Sequence, residues 1–303
     1  MSAPTGTDSF IDETTFHADV QYIESLWRRK PVGALDLPLI DIGEGAPLVF
    51  VPILEHLEFV YARQIRTFSQ SRRVILYRRP ETRTRPVGLV ERAAELHSLL
   101  DSLDLECVDL VAHGDAAMVL FEFAVRYPQY CRSLTIVAQG AECQIAPHPL
   151  IWLLHELYLR LPAEHFLPAW FLRRIVINYI VACQPAFNTS RTSSLPRRLI
   201  EEQFRKIALW PFVYKFSVLP VIHNYDMRKR LGQLTMPILL INRADDVLTP
   251  ASKTRWLAGN LPNCAGYHIV SGGERFFMYS QAGDVNQIME KFLMMESPPG
   301  TRP

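Results

Sequence analysis

The stretch Leu110-Val-Ala-His-Gly-Asp-Ala-Ala117 decides how this chain is read. It links a short apolar run, Val108-Asp-Leu-Val111, to a segment over 116–127 whose apolar residues recur at helical spacing and which Pro128 stops. Working outward, further short apolar runs appear upstream as Leu48-Val-Phe-Val51 and Val74-Ile-Leu-Tyr77. Others follow at 133–138, 238–242 and 267–270. Between 89 and 103, Leu89, Ala93, Leu96, Leu99 and Leu103 share one helical face, and a last helix is expected over 284–294. Continuous apolar strands alternating with amphipathic helices predict a mostly parallel sheet flanked by helices, an α/β fold. The alternation breaks over 139–233. There Pro162, Pro168, Pro185, Pro196, Pro211 and Pro220 punctuate a run of helices, which reads as a cap inserted between two strands.

The bulk numbers bound the answer. With 303 residues the chain can form one large domain carrying an insertion, read as a core over 21–138 and 234–294 with the cap at 139–233 between its halves. Residues 1–20 read as a mobile polar tail and 295–303 as a Pro-rich one. A net charge of +1 supplies no basic face for nucleic acid. Five widely spaced cysteines form no metal-ligand cluster, and Gly43, Gly45 and Gly88 form no phosphate loop. Neither a metal nor another cofactor is therefore expected. A polar, acidic start without a signal-peptide pattern favours a cytoplasmic protein.

The 110–117 stretch resembles the nucleophile elbow of the α/β-hydrolase fold family, in which a strand ends in a G-x-S-x-G turn that opens a helix. Two further segments are similar to family landmarks. Ile241-Asn-Arg-Ala-Asp-Asp-Val-Leu-Thr-Pro250 resembles the turn that carries the acid, which falls on Asp246. Ile269-Val-Ser-Gly-Gly-Glu274 resembles the segment that carries the catalytic histidine, which falls on Glu274. The resemblance covers about Leu39 to Leu293. It implies the α/β-hydrolase fold with a helical cap, and it implies that the family's chemistry is altered. Gly114 stands at the serine position and Glu274 at the histidine position. The loop Pro52-Ile-Leu-Glu-His-Leu57 has no glycine for an oxyanion hole, and Tyr77 to Pro86 is basic and glycine-free. Four altered parts of one machine indicate a repurposed site rather than a single inactivating change.

Asp115 lies one residue past the elbow position that carries an aspartate nucleophile in haloalkane dehalogenases and epoxide hydrolases. A polar residue favoured at a helix N-terminus is the plainer reading. The candidate catalytic residues are Asp115, Glu274 and Asp246, with Asp246 otherwise a turn or salt-bridge residue. Glu55, His56, His113, Gly114, Trp152, Tyr158 and Trp170 are pocket or loop candidates. His113 reads as a packing residue and His268 as a packed strand residue. Two functions are open. One is a protein without serine-hydrolase activity that binds an apolar small molecule under its cap, or a protein partner. The other is a lyase, cyclase, isomerase or atypical hydrolase that uses carboxylates in the former triad pocket. Arginines beside the apolar cap helices keep a peripheral membrane contact open.

Overall fold

The computed structural model describes residues 11–32, 35–52, 54, 56–79, 81, 85–143, 149–168, 170–172, 174, 195–207, 211–223, 225–244, 246, 248–270 and 275–295. Eight strands form one sheet: β1 (Arg28–Val32), β2 (Leu35–Ile42), β3 (Pro47–Phe50), β4 (Arg73–Tyr77), β5 (Val108–His113), β6 (Cys131–Val137), β7 (Ile238–Arg243) and β8 (Cys264–Val270). Their spatial order is β1-β2-β4-β3-β5-β6-β7-β8. The first two strands run antiparallel, and every pair from β4 to β8 is parallel. Strands β5 and β7 are buried along their whole length, as parallel strands with both faces covered must be.

The helices that flank the sheet include α1 (Glu13–Leu26), α2 (Ala62–Phe68), α3 (Leu89–Ser102) and α4 (Ala116–Arg126). Between β6 and β7 the described elements are all helical. They include α5 (Pro149–Arg160), α6 (Ala163–Phe166), α7 (Arg197–Lys206), a π-helical segment (Tyr214–Val218) and α8 (Leu219–Ile222). After β7 come α9 (Ala251–Asn260), α10 (Phe277–Ser280) and α11 (Ala282–Met295).

The chain order reverses around β3. The connection from β3 leads to one neighbour, β4, and the next strand, β5, lies on the other side. At such a switch point the two following loops part and leave a crevice at the strands' carboxyl ends, where ligands bind in open α/β sheets. The loop after β3 and the turn after β5 therefore face the same crevice.

The amino-terminal expectation is corrected. The region read as a mobile tail up to residue 20 contains most of α1, whose cap Asp12 accepts a hydrogen bond from the Thr15 N–H at 2.6 Å. Phe16 and Ile23 are buried, and the buried Asp19 carboxylate accepts from Arg63, Arg66 and the Tyr279 hydroxyl at 2.8–2.9 Å. Phe16, Val20, Ile23 and Leu26 do recur at helical spacing, but the polar and acidic residues around them dominate the composition by which the segment reads as a tail. The antiparallel pair β1–β2 went unrecognised for a related reason: Arg28-Arg29-Lys30-Pro31 has the charge and proline of an edge strand and no apolar run. The expected tail at 295–303 lies, after its first residue, outside the described residues.

Candidate active site at the elbow

Gly114 sits between β5 and α4 with φ +60°, its N–H donating to the Val137 carbonyl at 2.9 Å. Left-handed backbone costs a side-chain-bearing residue roughly 1–2 kcal/mol, which a nucleophile elbow normally tolerates in order to present its side chain. Here the strained conformation is kept and the side chain is absent. Gln139 holds the turn by donating to the Gly114 carbonyl at 3.1 Å. A Cβ added at Gly114 would meet the Arg275 Nη2 at 3.4 Å, so a guanidinium stands where a serine side chain would point.

The Arg275 guanidinium is anchored on the acid of the same site. Its Nη1 donates to Asp246 Oδ2 at 2.7 Å and to the Thr249 hydroxyl at 3.3 Å. Asp246 is fully buried, and its Oδ1 accepts the backbone N–H groups of Leu248 and Thr249 at 2.9 and 2.8 Å. One carboxylate thus closes a turn and neutralises a cation. Asn242, at the end of β7, fastens that turn by donating to the Thr249 carbonyl at 2.9 Å and the Thr254 hydroxyl at 2.7 Å. The sequence register put Glu274 opposite the acid; the residue found there is Arg275, one position later. Glu274 itself lies outside the described residues. A buried aspartate needs a donor, and Arg275 is the one cation between residues 271 and 277, a signal the sequence offered.

His113 is buried, and its Nε2 lies 3.0 Å from the Arg275 carbonyl, while its backbone N–H donates to the Tyr61 hydroxyl at 3.1 Å. Burial first, then the Arg275 charge, push its pKa down to about 3, so it is a neutral packing residue at physiological pH. Asp115, the first residue after the apex, makes no capping hydrogen bond to α4. Its Oδ2 is occluded and lies 3.9 Å from the Arg79 Nη1. Burial raises its pKa against the pull of Arg79 and Arg275. Arg79, from the basic loop after β4, is itself buried and donates through Nε to Glu81 at 2.7 Å, and Arg92 bonds Glu95 at 2.9 Å beside them. The elbow is therefore backed by a chain of buried ions.

No family model matches the chain. Among curated proteins it is similar to several named carbamate hydrolase RutD. It is 27% identical to that of Pseudomonas syringae over 186 residues, 60% of this chain and 66% of that protein. It is 24% identical to that of Stutzerimonas stutzeri over 233 residues, 75% of this chain and 83% of the other. Among solved structures it superposes on a thermophilic esterase from Thermogutta terrifontis with a TM-score of 0.70 at 15% identity, covering 90% of this chain and 99% of the esterase. The enol-lactonase from Burkholderia xenovorans gives 0.69 at 15% identity, over 88% and 100% of the two chains. The chain has the α/β-hydrolase fold.

Within this α/β-hydrolase fold, a cleft of about 190 Å³ lies between α1, the loop after β3 and α7. Val20, Ile23 and Phe59 give it an apolar wall, and Glu24, His56, Glu58, Gln203 and Lys206 supply its polar groups. His56, half-buried with φ +68°, occupies the loop where the hydrolase fold usually builds its oxyanion hole. Glu55 beside it lies outside the described residues. Lys206 donates to Gln203 Oε1 at 3.3 Å, and the buried Gln203 Nε2 finds no acceptor among the described residues. Glu58, which the sequence reading passed over, is buried and accepts from Arg78 Nε at 2.7 Å. Desolvation outweighs that ion pair and lifts its pKa from 4.5 to about 7.

The sign of that shift sets a pH dependence. A carboxyl whose folded pKa is raised contributes stability that is full below its unfolded value and is lost as pH climbs through the folded one. Between pH 4.5 and 7 the Glu58 contribution should fall by about 3 kcal/mol in the limit of full burial. Urea unfolding of the wild type and Glu58→Gln at pH 5 and pH 8 checks this. The variant should lose less stability over that interval, and an identical pH slope in both proteins would count against the assignment.

Three aromatic pocket candidates are placed at the cap's surface or in its packing. Trp170 is exposed and makes an edge-to-face contact with Phe171, and Trp152 is exposed and stacked on His223. Tyr158 is half-buried and donates to the Pro211 carbonyl at 3.3 Å. None of the three lines the described cleft. His268 is exposed on β8, the edge strand, together with the adjacent Ile269, and not packed as the sequence suggested: an edge strand is less covered than the strands inside the sheet. Among the described residues no group of three or more His, Cys, Asp or Glu side chains is arranged to hold a metal.

Proposed function

We propose that this α/β-hydrolase-fold protein does not work as a serine hydrolase but binds a small, largely apolar molecule in the crevice between its core and the helices that follow β6. The observation that carries this reading is the pairing at the elbow. A glycine holds the apex in the nucleophile's strained conformation, and a guanidinium occupies the space beside it while taking the acid for itself. An arginine stays protonated at neutral pH and cannot act as the general base that a serine mechanism needs. The cleft sets the apolar side chains of Val20, Ile23 and Phe59 beside polar ones that could orient a small molecule.

The relatives' name suggests carbamates, and several structural neighbours are esterases or lactonases. The test is therefore direct. Purified protein is incubated with p-nitrophenyl acetate, p-nitrophenyl butyrate and a phenyl carbamate, and separately with a fluorophosphonate probe. Rates at the buffer background and no covalent adduct are expected. Turnover that survives purification and disappears on Asp115→Ala would sink the proposal. Native mass spectrometry of protein from its own source should reveal a bound metabolite rather than a stoichiometric protein chain.

A second reading is favoured by one observation. Glu58 is a carboxyl lining the cleft with a pKa near 7, the range in which a general acid–base catalyst operates. Proton transfer on a bound carbonyl compound, as in an isomerase or lyase, would use it without any nucleophile. Loss of turnover in Glu58→Gln with ligand affinity unchanged separates this reading from plain binding.

A further inference from the structure

Helix α7 carries a polar residue inside its apolar stripe. Leu199, Ile200 and Phe204 are buried, and Gln203 falls on the same face, at i+4 and i+3 from the first two. Its side chain is 1% exposed and lines the cleft between α1, the loop after β3 and α7. Lys206 fixes which way the amide points. An ammonium only donates, so the atom 3.3 Å from its Nζ is the oxygen, and the amide NH2 group is turned away from Lys206. That Nε2 is buried and has no acceptor among the described residues. A buried amide donor left bare is destabilising, so it is served by water or kept for a ligand.

The charges around the cleft are already matched. Lys206 pairs with Glu202 at 3.0 Å, and Arg78 pairs with Glu24 at 3.0 Å and with Glu58 at 2.7 Å. Glu24, Glu58 and Lys206 therefore each face an opposite charge, and the group left unserved is a neutral donor. Val20, Ile23 and Phe59 offer apolar surface to the rest of a bound molecule. At about 190 Å³ the cleft is smaller than the roughly 300 Å³ at which drug-sized sites begin. Resting on the reading of this cleft as a small-molecule site, we propose that Gln203 selects its ligand: an uncharged compound with a carbonyl oxygen for Nε2 and one compact apolar body, such as a single ring. Water can serve the amide in the free protein. A ligand that expels this water without supplying an acceptor strands the donor. A carboxylate would lose its own hydration with no unpaired lysine or arginine among the described lining residues to replace it.

Acetophenone, ethylbenzene and benzoate share one ring and differ in offering a neutral oxygen, no oxygen or a charged carboxylate. Each is titrated into the isotope-labelled full chain, and the amide shifts in NMR spectra give its affinity. Acetophenone should bind about tenfold tighter than either of the others, the net value of one hydrogen bond to an unserved donor, and should move the Gln203 side-chain amide resonance downfield. In Gln203→Met the preference over ethylbenzene should vanish. The thermal midpoint of that variant without ligand should stay at or above the wild-type value, because a stranded donor has been removed. The wild-type comparison decides the matter even if the variant does not fold. Equal binding of acetophenone and ethylbenzene to the wild type, or a preference that survives Gln203→Met, overturns the role of Gln203 while leaving the cleft a small-molecule site. Tighter binding of benzoate overturns the choice of an uncharged ligand. If none of the three shifts a residue of the cleft, the reading of the cleft itself fails, and this inference with it.

Discussion

Arg275→Met is expected to destabilise the protein by roughly 3–5 kcal/mol, the usual cost of leaving one member of a buried ion pair without its partner. Asp246 has no solvent exposure, so on losing Arg275 it can neither hydrate nor find another cation among its hydrogen-bond partners, which are the Leu248 and Thr249 N–H groups and Arg275 itself. The neutral replacement Asp246→Asn keeps an oxygen for those two N–H groups. Arg275→Met/Asp246→Asn should therefore recover much of the loss, even though it removes the ion pair altogether. Urea denaturation of the wild type, both single variants and the double variant gives the cycle. A double variant as unstable as the sum of the singles would mean that the uncompensated charge is not the source of the effect.

The second large effect is a gain of reactivity. Gly114→Ser alone should remain inert toward activated esters and fluorophosphonates, because the group facing the new hydroxyl is a guanidinium 3.4 Å from the added Cβ. Gly114→Ser/Arg275→His places an imidazole next to Asp246 and supplies nucleophile, base and acid together. Ester hydrolysis is then expected to rise by about 10² over the wild type, well short of an evolved enzyme because the loop around His56 supplies no glycine oxyanion hole. Serine carries a cost of roughly 1–2 kcal/mol at φ +60°, so the comparison is made on variants shown to be folded. If Gly114→Ser reacts as fast as the double variant, another base serves this site and the role assigned to Arg275 is wrong.

These two experiments probe the residues at which sequence and structure part company. Pattern sufficed wherever burial on both faces forced a continuous apolar run: β3 to β7 emerge from their sequences almost residue for residue, and the elbow's glycine is visible in the bare string. It failed at the amino terminus. There α1 is held by Asp19 among two arginines and a tyrosine, and β1 is an edge strand made of Arg28, Arg29 and Lys30. Polar contacts of high sequence separation have no period, so nothing local announces them. The same limit applies to Arg79 and Glu58, whose neighbours come from other strands and helices.

The sequence by itself determined the α/β-hydrolase fold and the glycine at the β5–α4 turn, because each is legible in local residue choices within a recognisable strand–turn–helix unit. Only the tertiary structure decided that Arg275 meets Asp246, that Trp152 and Trp170 face outward, and that the leucines of α5 form an exposed stripe. The physical reason is common to all three. A residue's type fixes what it can bond to, but a one-residue change of register or a rotation of a helix decides what stands within 3 Å of it, and that is set by the packing of the whole chain.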